Sequence, residues 1–139
     1  MHDLDAIRDL VHRYADAVCR RDRDQWAACW ADEAVWDLGA GEVSGRQAIV
    51  DLWAGAMGAF TSVIQTVHNG TASLDGDHGS GCWYVQEHYR LATGEPGILL
   101  ARYDDAYRRH AGTWRFARRA LVPYYQGPPD LSAGFRSQG

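Results

Sequence analysis

His68 is the residue in this sequence best suited to proton transfer. It lies in the middle of Ser62–Leu74, a run of small and apolar residues that predicts a β-strand. Unless its side chain points to solvent, the histidine occupies the interior. An imidazole has its ordinary pKa near neutral pH and can exchange a proton there. A lone histidine in such a strand is also typical of a structural residue, and both interpretations stay open.

Arg118 and Arg119 are adjacent in a predicted strand over 113–125, so one of them must point inward. Alternation places Arg119 on one face, and Phe116 with Arg118 on the other. A buried arginine needs an anionic partner, for which Asp105 is the candidate because it shares a face with Leu99 and Tyr103. The alternative is a solvated arginine pair at the edge of the sheet.

The chain has 139 residues, of which 46% are hydrophobic and 23% charged, as in one ordinary globular domain. We expect a domain over residues 1–126 and a flexible tail over 127–139, which opens with Gly127-Pro128-Pro129. Six Trp and seven Tyr are many for this length, and they indicate either a large aromatic core or an apolar cavity.

Charge and cysteine content exclude several classes of function. The net charge of −4 makes nucleic acid an unlikely partner, and the absence of lysine excludes Schiff-base chemistry. Cys19, Cys29 and Cys82 cannot all pair, which favours a reducing compartment. No segment is apolar enough for a membrane span or a signal peptide, so we expect a cytoplasmic protein without a membrane partner. The His and Cys spacings indicate no metal site.

The apolar positions predict an α+β protein. A period of three to four residues from Leu4 predicts a helix to about Cys19, and Asp22 is placed to cap a second helix. A short strand over Ala34–Leu38 and a third helix from Ser44-Gly45 follow. Four alternating segments separated by glycine-containing turns then predict an antiparallel meander that curls over the helices.

Several short strings occur in the same order as in the SnoaL-like family of the nuclear transport factor two-like superfamily, which residues 4–125 resemble. These strings are Ile7-Arg8-Asp9-Leu10 before Tyr14, Arg20-Arg21-Asp22, Ala31-Asp32-Glu33-Ala34, Val67-His68-Asn69, Leu74-Asp75-Gly76-Asp77, Tyr103-Asp104-Asp105 and Gly112-Thr113-Trp114-Arg115. The resemblance implies a cone-shaped α+β barrel with an apolar pocket at its wide end. Relatives include dehydratases, a dehydrochlorinase, isomerases, polyketide cyclases and non-catalytic binding domains, so the fold alone does not define the reaction.

The resemblance also implies roles for individual residues. His68 would be the general base, Tyr14 a hydrogen-bond donor or acid, and Arg119 a group that holds anionic or leaving-group atoms. The carboxylate that orients the base in relatives falls here on Cys19, a poor acceptor. Asp22 could replace it in a different register, or could simply cap the second helix. A nucleophilic Cys19 is a further alternative.

The expected pocket lining combines apolar residues with one acid. Glu87 follows Trp83 and Val85 in phase, so it either points inward as an acid or meets solvent at the end of its strand. The ketosteroid isomerase design fits less well, because its first-strand base position aligns with Leu38. The full set of expected substrate-binding residues is Trp36, Leu38, Trp53, Val63, Trp83, Val85, Glu87, Leu99, Tyr103 and Leu121.

Two functions are compatible with these residues. One is a lyase or isomerase without a cofactor that acts on a mid-sized apolar molecule, such as a polyketide, terpenoid or steroid, with His68 as base. The other is a non-catalytic small-molecule-binding domain. The resemblance also implies a homodimer.

Overall fold

A computed structural model describes residues 2–137, which include three helices, α1 (Asp3–Arg20), α2 (Arg23–Ala28) and α3 (Arg46–Met57). The first helix buries the apolar stripe that its sequence period predicts, and ends as expected near Cys19. It stops at Arg21, whose left-handed backbone (φ 57°) allows its N–H to bond the carbonyls of the last turn.

Six strands form one sheet. They are β1 (Trp30–Asp37), β2 (Glu42–Ser44), β3 (Phe60–Asp75), β4 (His78–Leu91), β5 (Pro96–His110) and β6 (Thr113–Gly127). Their order is β2-β1-β6-β5-β4-β3, and of these pairs only β1–β6 is parallel. This arrangement confirms the expected α+β cone and its antiparallel meander. The first strand begins earlier than predicted, at Trp30, and the short β2 was not predicted.

The sheet curls around α1, and the core between them is aromatic. Trp26 is fully buried and lies within 5.5 Å, centroid to centroid, of the rings of Tyr14, Trp30, Trp36 and Trp53. Rings at such distances attract one another in addition to the area that they bury. The many tryptophans and tyrosines therefore account mainly for the closed part of the cone.

Two of the register shifts in the sheet lie beside predicted site residues. The pairing of β3 with β4 jumps between Val67 and Gly70, and that of β5 with β6 jumps between Ala106 and Tyr107. A bulge of this kind adds residues to one strand and changes which side chains face inward. The shift in β6 decides the placement of the predicted residues Phe116 and Arg119.

The chain after β6 turns back along the sheet. The Tyr125 hydroxyl donates to the Pro128 carbonyl at 2.6 Å and accepts from the Ala133 N–H at 3.2 Å, while the Arg136 N–H donates to the Tyr124 carbonyl at 2.8 Å. Tyr125 is fully buried beneath this segment. No helix within residues 2–137 is long and apolar enough to cross a membrane.

Gly70 provides a test of the bulge in β3. A Cβ at this position would collide with the Trp83 ring and would lie 2.6 Å from the Cys82 carbonyl oxygen. We expect Gly70→Ala to lower the free energy of unfolding by about 1–3 kcal/mol, as overpacking does, in urea denaturation. Gly55→Ala is the control, because Gly55 lies in α3 with open space around it and alanine favours a helix by up to about 1 kcal/mol. Equal effects of the two substitutions would contradict the tight contact at Gly70.

Candidate active site

A cavity of about 130 Å³ lies inside the cone, between α1, α3 and the inner face of the sheet. Most of its wall is apolar or aromatic, and its polar groups come from several different elements. The lining residues are Tyr14, Val18, Trp36, Trp53, Ala56, Met57, Gln65, Glu87, Leu99, Tyr103 and Leu121.

Glu87, on β4, is the acid in this cavity wall. Its carboxylate accepts a 2.7 Å hydrogen bond from Nε2 of Gln65, the residue paired with it on β3. Removal from water raises the pKa of the Glu87 carboxyl, and the hydrogen bond from Gln65 acts against that rise. A carboxylate with a raised pKa is a stronger base than one in water, and is therefore suited to accepting a proton from a ligand.

The backbone of Gln65 is hydrogen-bonded by the side chain of Cys19. The Cys19 thiol donates to the Gln65 carbonyl oxygen at 3.3 Å, and Sγ accepts from the Gln65 N–H at 3.2 Å. The thiol thus bonds the backbone at the free edge of β3, opposite the strand's pairing with β4. Where the resemblance places an orienting carboxylate, this chain has a thiol that is already occupied, and it faces Gln65 rather than a histidine.

Tyr14 on α1 and Tyr103 on β5 supply two phenol groups to the cavity. Their rings meet edge to face with centroids 5.8 Å apart. Burial raises the pKa of both hydroxyls, the Glu87 charge adds to the rise, and the positive Arg119 opposes it. Both hydroxyls therefore remain protonated near neutral pH and can donate hydrogen bonds.

Arg119 is fully buried behind these two tyrosines. Its guanidinium carbon lies 3.8 Å from the centroid of the Tyr103 ring and 4.4 Å from that of Tyr14. Nε and Nη2 donate to the Asp105 carboxylate at 2.8 and 3.2 Å, so the expected partner is confirmed. Burial raises the pKa of Asp105, and the Arg119 charge opposes this.

Asp105, the acid of this ion pair, is held in place by Tyr107, which is itself held by Trp83. The Tyr107 hydroxyl donates to Asp105 at 2.9 Å and accepts from Trp83 Nε1 at 2.8 Å. The hydrogen bonds of Arg119 are therefore made to Asp105, and Arg119 does not line the cavity. The resemblance implies a different role, in which this arginine holds a leaving group. Arg119 acts on the site through the tyrosine rings.

His68 does not lie inside the cone, so the expectation of an interior base is wrong. Its side chain is exposed on the outer face, and its Nε2 lies 3.0 Å from Oε1 of Gln86. Val63, Gln65 and Val67 face inward, so regular alternation already places His68 on the outer face, with the exposed Ile64 and Thr66.

Asp22 caps α2, as one of the two interpretations expected. Its carboxylate accepts from the Gln25 N–H at 3.1 Å, and the residue is exposed. It does not approach the cavity lining, so it cannot orient a base there.

Six of the ten expected substrate-binding residues line the cavity: Trp36, Trp53, Glu87, Leu99, Tyr103 and Leu121. Val63, Trp83 and Val85 point inward as predicted but are buried in the closed core, outside the lining. Leu38 does not line the cavity either; it is half-buried and packs against the core. It comes directly after β1, which ends at Asp37. The Asp37 carboxylate accepts a hydrogen bond from Arg118 on the outer face.

Gln65 is a site residue that the sequence pattern did not single out. The alternation Val63, Gln65, Val67 contains the signal, but an amide has no acid–base chemistry that would distinguish it from a surface glutamine. The expected alternation also placed Phe116 on the face opposite Arg119, whereas both are fully buried inside. The register shift opposite Ala106 and Tyr107 leaves Ala117 without a partner and brings both residues inward.

Residues 1–120 match the model of the SnoaL-like domain. The chain belongs to the SnoaL-like family. It is 29% identical to the gamma-hexachlorocyclohexane dehydrochlorinase of Sphingobium indicum, over 92% of this chain and 88% of that protein.

Solved structures share the whole SnoaL-like fold. The crystal structure of LinA superposes with a TM-score of 0.85 at 26% identity, covering 97% of this chain and 94% of the other. A putative scytalone dehydratase from Novosphingobium aromaticivorans gives a TM-score of 0.86 at 18% identity, with coverages of 99% and 94%.

Within residues 2–137, no three His, Cys, Asp or Glu side chains converge as metal ligands would.

The pKa of Glu87 can be measured without a substrate. We expect carboxyl-carbon NMR to give Glu87 a midpoint above the ordinary value of about 4.3 for glutamate. Gln65→Leu should raise it further, because the hydrogen bond that favours the ionised form is lost. Gln86→Leu, on the outer face, is the control and should leave it unchanged. A lower midpoint in Gln65→Leu would contradict the arrangement.

The buried ion pair predicts a large loss of stability. We expect Arg119→Met to lower the free energy of unfolding by about 3–5 kcal/mol, because Asp105 is left buried without its partner. Arg118→Met is the matched control, since Arg118 forms partly exposed ion pairs with Asp37 and Glu42 and should cost about 1 kcal/mol or less. Similar losses in urea denaturation would contradict the special role of Arg119.

Proposed function

We propose that this protein is a lyase without a cofactor, in which Glu87 removes a proton from a carbon atom of a small molecule bound in the cone. The observation that carries the proposal is the Glu87 carboxylate inside an apolar cavity, bonded by Gln65 at 2.7 Å and facing a space shared with two phenol groups. A base in such a place is protected from water and has a raised pKa.

The proposed elimination uses residues of this chain only. Glu87 takes the proton, the electrons of the C–H bond form a double bond to the neighbouring carbon, and the leaving group departs with the electrons of its own bond. The hydroxyls of Tyr14 and Tyr103 are hydrogen-bonded to each other, so one of them donates to the atom that gains negative charge and the other supports that donor. Arg119 lies behind both rings. Its positive charge strengthens both hydroxyls as donors, because it stabilises the negative charge that their oxygens gain on donating.

The comparisons support the reaction class. The Sphingobium indicum relative is named a dehydrochlorinase, and such an enzyme is a lyase that removes a proton and a chloride. The cavity lies inside the shared fold. At Cys19, where the resemblance implies a carboxylate that orients a histidine, this chain has a thiol, and that thiol contacts Gln65 instead of a histidine. We therefore assign the base to Glu87 rather than to a histidine.

A second candidate function is ligand binding without turnover. Cys19 favours it, because its thiol stands where the resemblance implies an orienting carboxylate, bonds only the backbone of Gln65 and cannot stabilise a protonated base. The two functions make different predictions for Glu87.

We expect Glu87→Gln to abolish proton abstraction while the cavity still binds ligands. Two probes are suitable: chloride release from gamma-hexachlorocyclohexane, and deuterium uptake from D2O by the carbon next to the carbonyl of cyclohexanone. Turnover of at least one should fall by about 100-fold or more, as for loss of a general base.

Glu95→Gln is the control for this substitution, because Glu95 is exposed in the turn between β4 and β5. If the unmodified protein binds these probes but accelerates neither reaction beyond the Glu87→Gln variant, the binding function replaces the lyase.

A further inference from the structure

Two polar atoms in the cavity wall have no hydrogen-bond partner. They are Oε1 of Gln65, an acceptor, and Nε1 of Trp36, a donor. Both side chains are buried, with 4% and 7% of their residue surface exposed. A buried polar atom without a partner costs free energy, and when it belongs to a ligand site it marks where the ligand supplies the missing bond.

Trp36 differs in position from the other unpartnered indoles. Trp26 and Trp30 also lack a partner for Nε1, but both are fully buried among aromatic rings and neither lines the cavity. Ring faces can accept an N–H weakly, and because the three indole rings lie 5.3, 5.5 and 6.1 Å apart, centroid to centroid, this applies to all three. Trp36 is the one of these three indoles that lines the cavity.

The charges around the cavity favour a neutral ligand. Glu87 contributes a carboxylate, and the guanidinium of Arg119 is neutralised by Asp105. Among the described residues of the lining there is no arginine or histidine to pair with an anion. An anionic ligand would therefore be repelled by Glu87 and would find no cation in compensation.

The cavity volume matches a ligand of about one ring. The cavity has about 130 Å³, and an engineered cavity of about 150 Å³ in another protein accommodates benzene.

We propose that the substrate is a neutral single-ring compound with two oxygen functions. A hydroxyl donates to Gln65 Oε1, and a second oxygen accepts from Trp36 Nε1. The proposal rests on the proposed function in one respect only, namely that the ligand of this cavity is also the substrate. It distinguishes oxygenated rings from halogenated or purely hydrocarbon rings of the same size.

The test compares matched neutral ligands. Dissociation constants are measured by NMR titration for 1,2-, 1,3- and 1,4-cyclohexanediol, with chlorocyclohexane as the ligand that lacks both hydroxyls. The proteins are the unmodified chain, Gln65→Leu and Trp36→Phe. Trp30→Phe is the control for an unpartnered indole outside the cavity, and Gln86→Leu is the control for an amide on the outer face.

We expect at least one diol to bind about tenfold more weakly to each cavity variant, the equivalent of one buried hydrogen bond. Chlorocyclohexane should bind the variants as well as the unmodified chain, and both controls should bind the diol normally. The proposal is overturned if no diol binds, or if the diols and chlorocyclohexane lose affinity equally in the cavity variants.

The same titration on Glu87→Gln separates this proposal from the proposed function. A diol that binds Glu87→Gln with the expected dependence on Gln65 and Trp36 supports the ligand class even if no turnover is found. Turnover without that dependence leaves the lyase standing and refutes the ligand class.

Discussion

The ion pair of Arg119 with Asp105 is the interaction on which the inside of the cone depends. A guanidinium can be buried only if its charge and its N–H groups are satisfied, and here two hydrogen bonds and three aromatic ring faces satisfy them. The pair joins β5 to β6, and the rings of Tyr14 and Tyr103 lie against it from α1 and from β5. The positions of both phenol hydroxyls are therefore consequences of one electrostatic requirement.

The acid of the candidate site lies on the sheet and not on the first helix. Cys19 satisfies the backbone of the edge strand at Gln65, and Gln65 uses its amide to bond Glu87 across the strand pair. In the proposed lyase, a single carboxylate in an apolar wall accepts the proton, in place of the histidine and orienting carboxylate that the resemblance implies. The gain in basicity comes from desolvation, and the amide limits it, so the pKa of Glu87 is set by the balance of these two effects.

Much of this fold could be predicted from sequence, because it depends on periodicity. The 3.6-residue period of α1, the four alternating strands with their turns, the cap at Asp22 and the pairing of Arg119 with Asp105 all follow from patterns that local sequence contains. The error at Phe116 occurs where a bulge reverses the alternation. His68 is different, because alternation from the inward Val63 and Gln65 already places it outside. A bulge is fixed by contacts between strands, such as the Trp83 ring over Gly70, which a single sequence does not display.

The unpaired atoms at Gln65 and Trp36 follow from the same geometry. Cys19 and Glu87 bond the backbone and the Nε2 group of Gln65, and Oε1 is left without a partner. The cavity wall thus holds an unpaired donor, an unpaired acceptor and a carboxylate. A site that selects an oxygenated ring gains specificity from the two unpaired groups, because a ligand without the oxygen leaves each of them buried and unpaired.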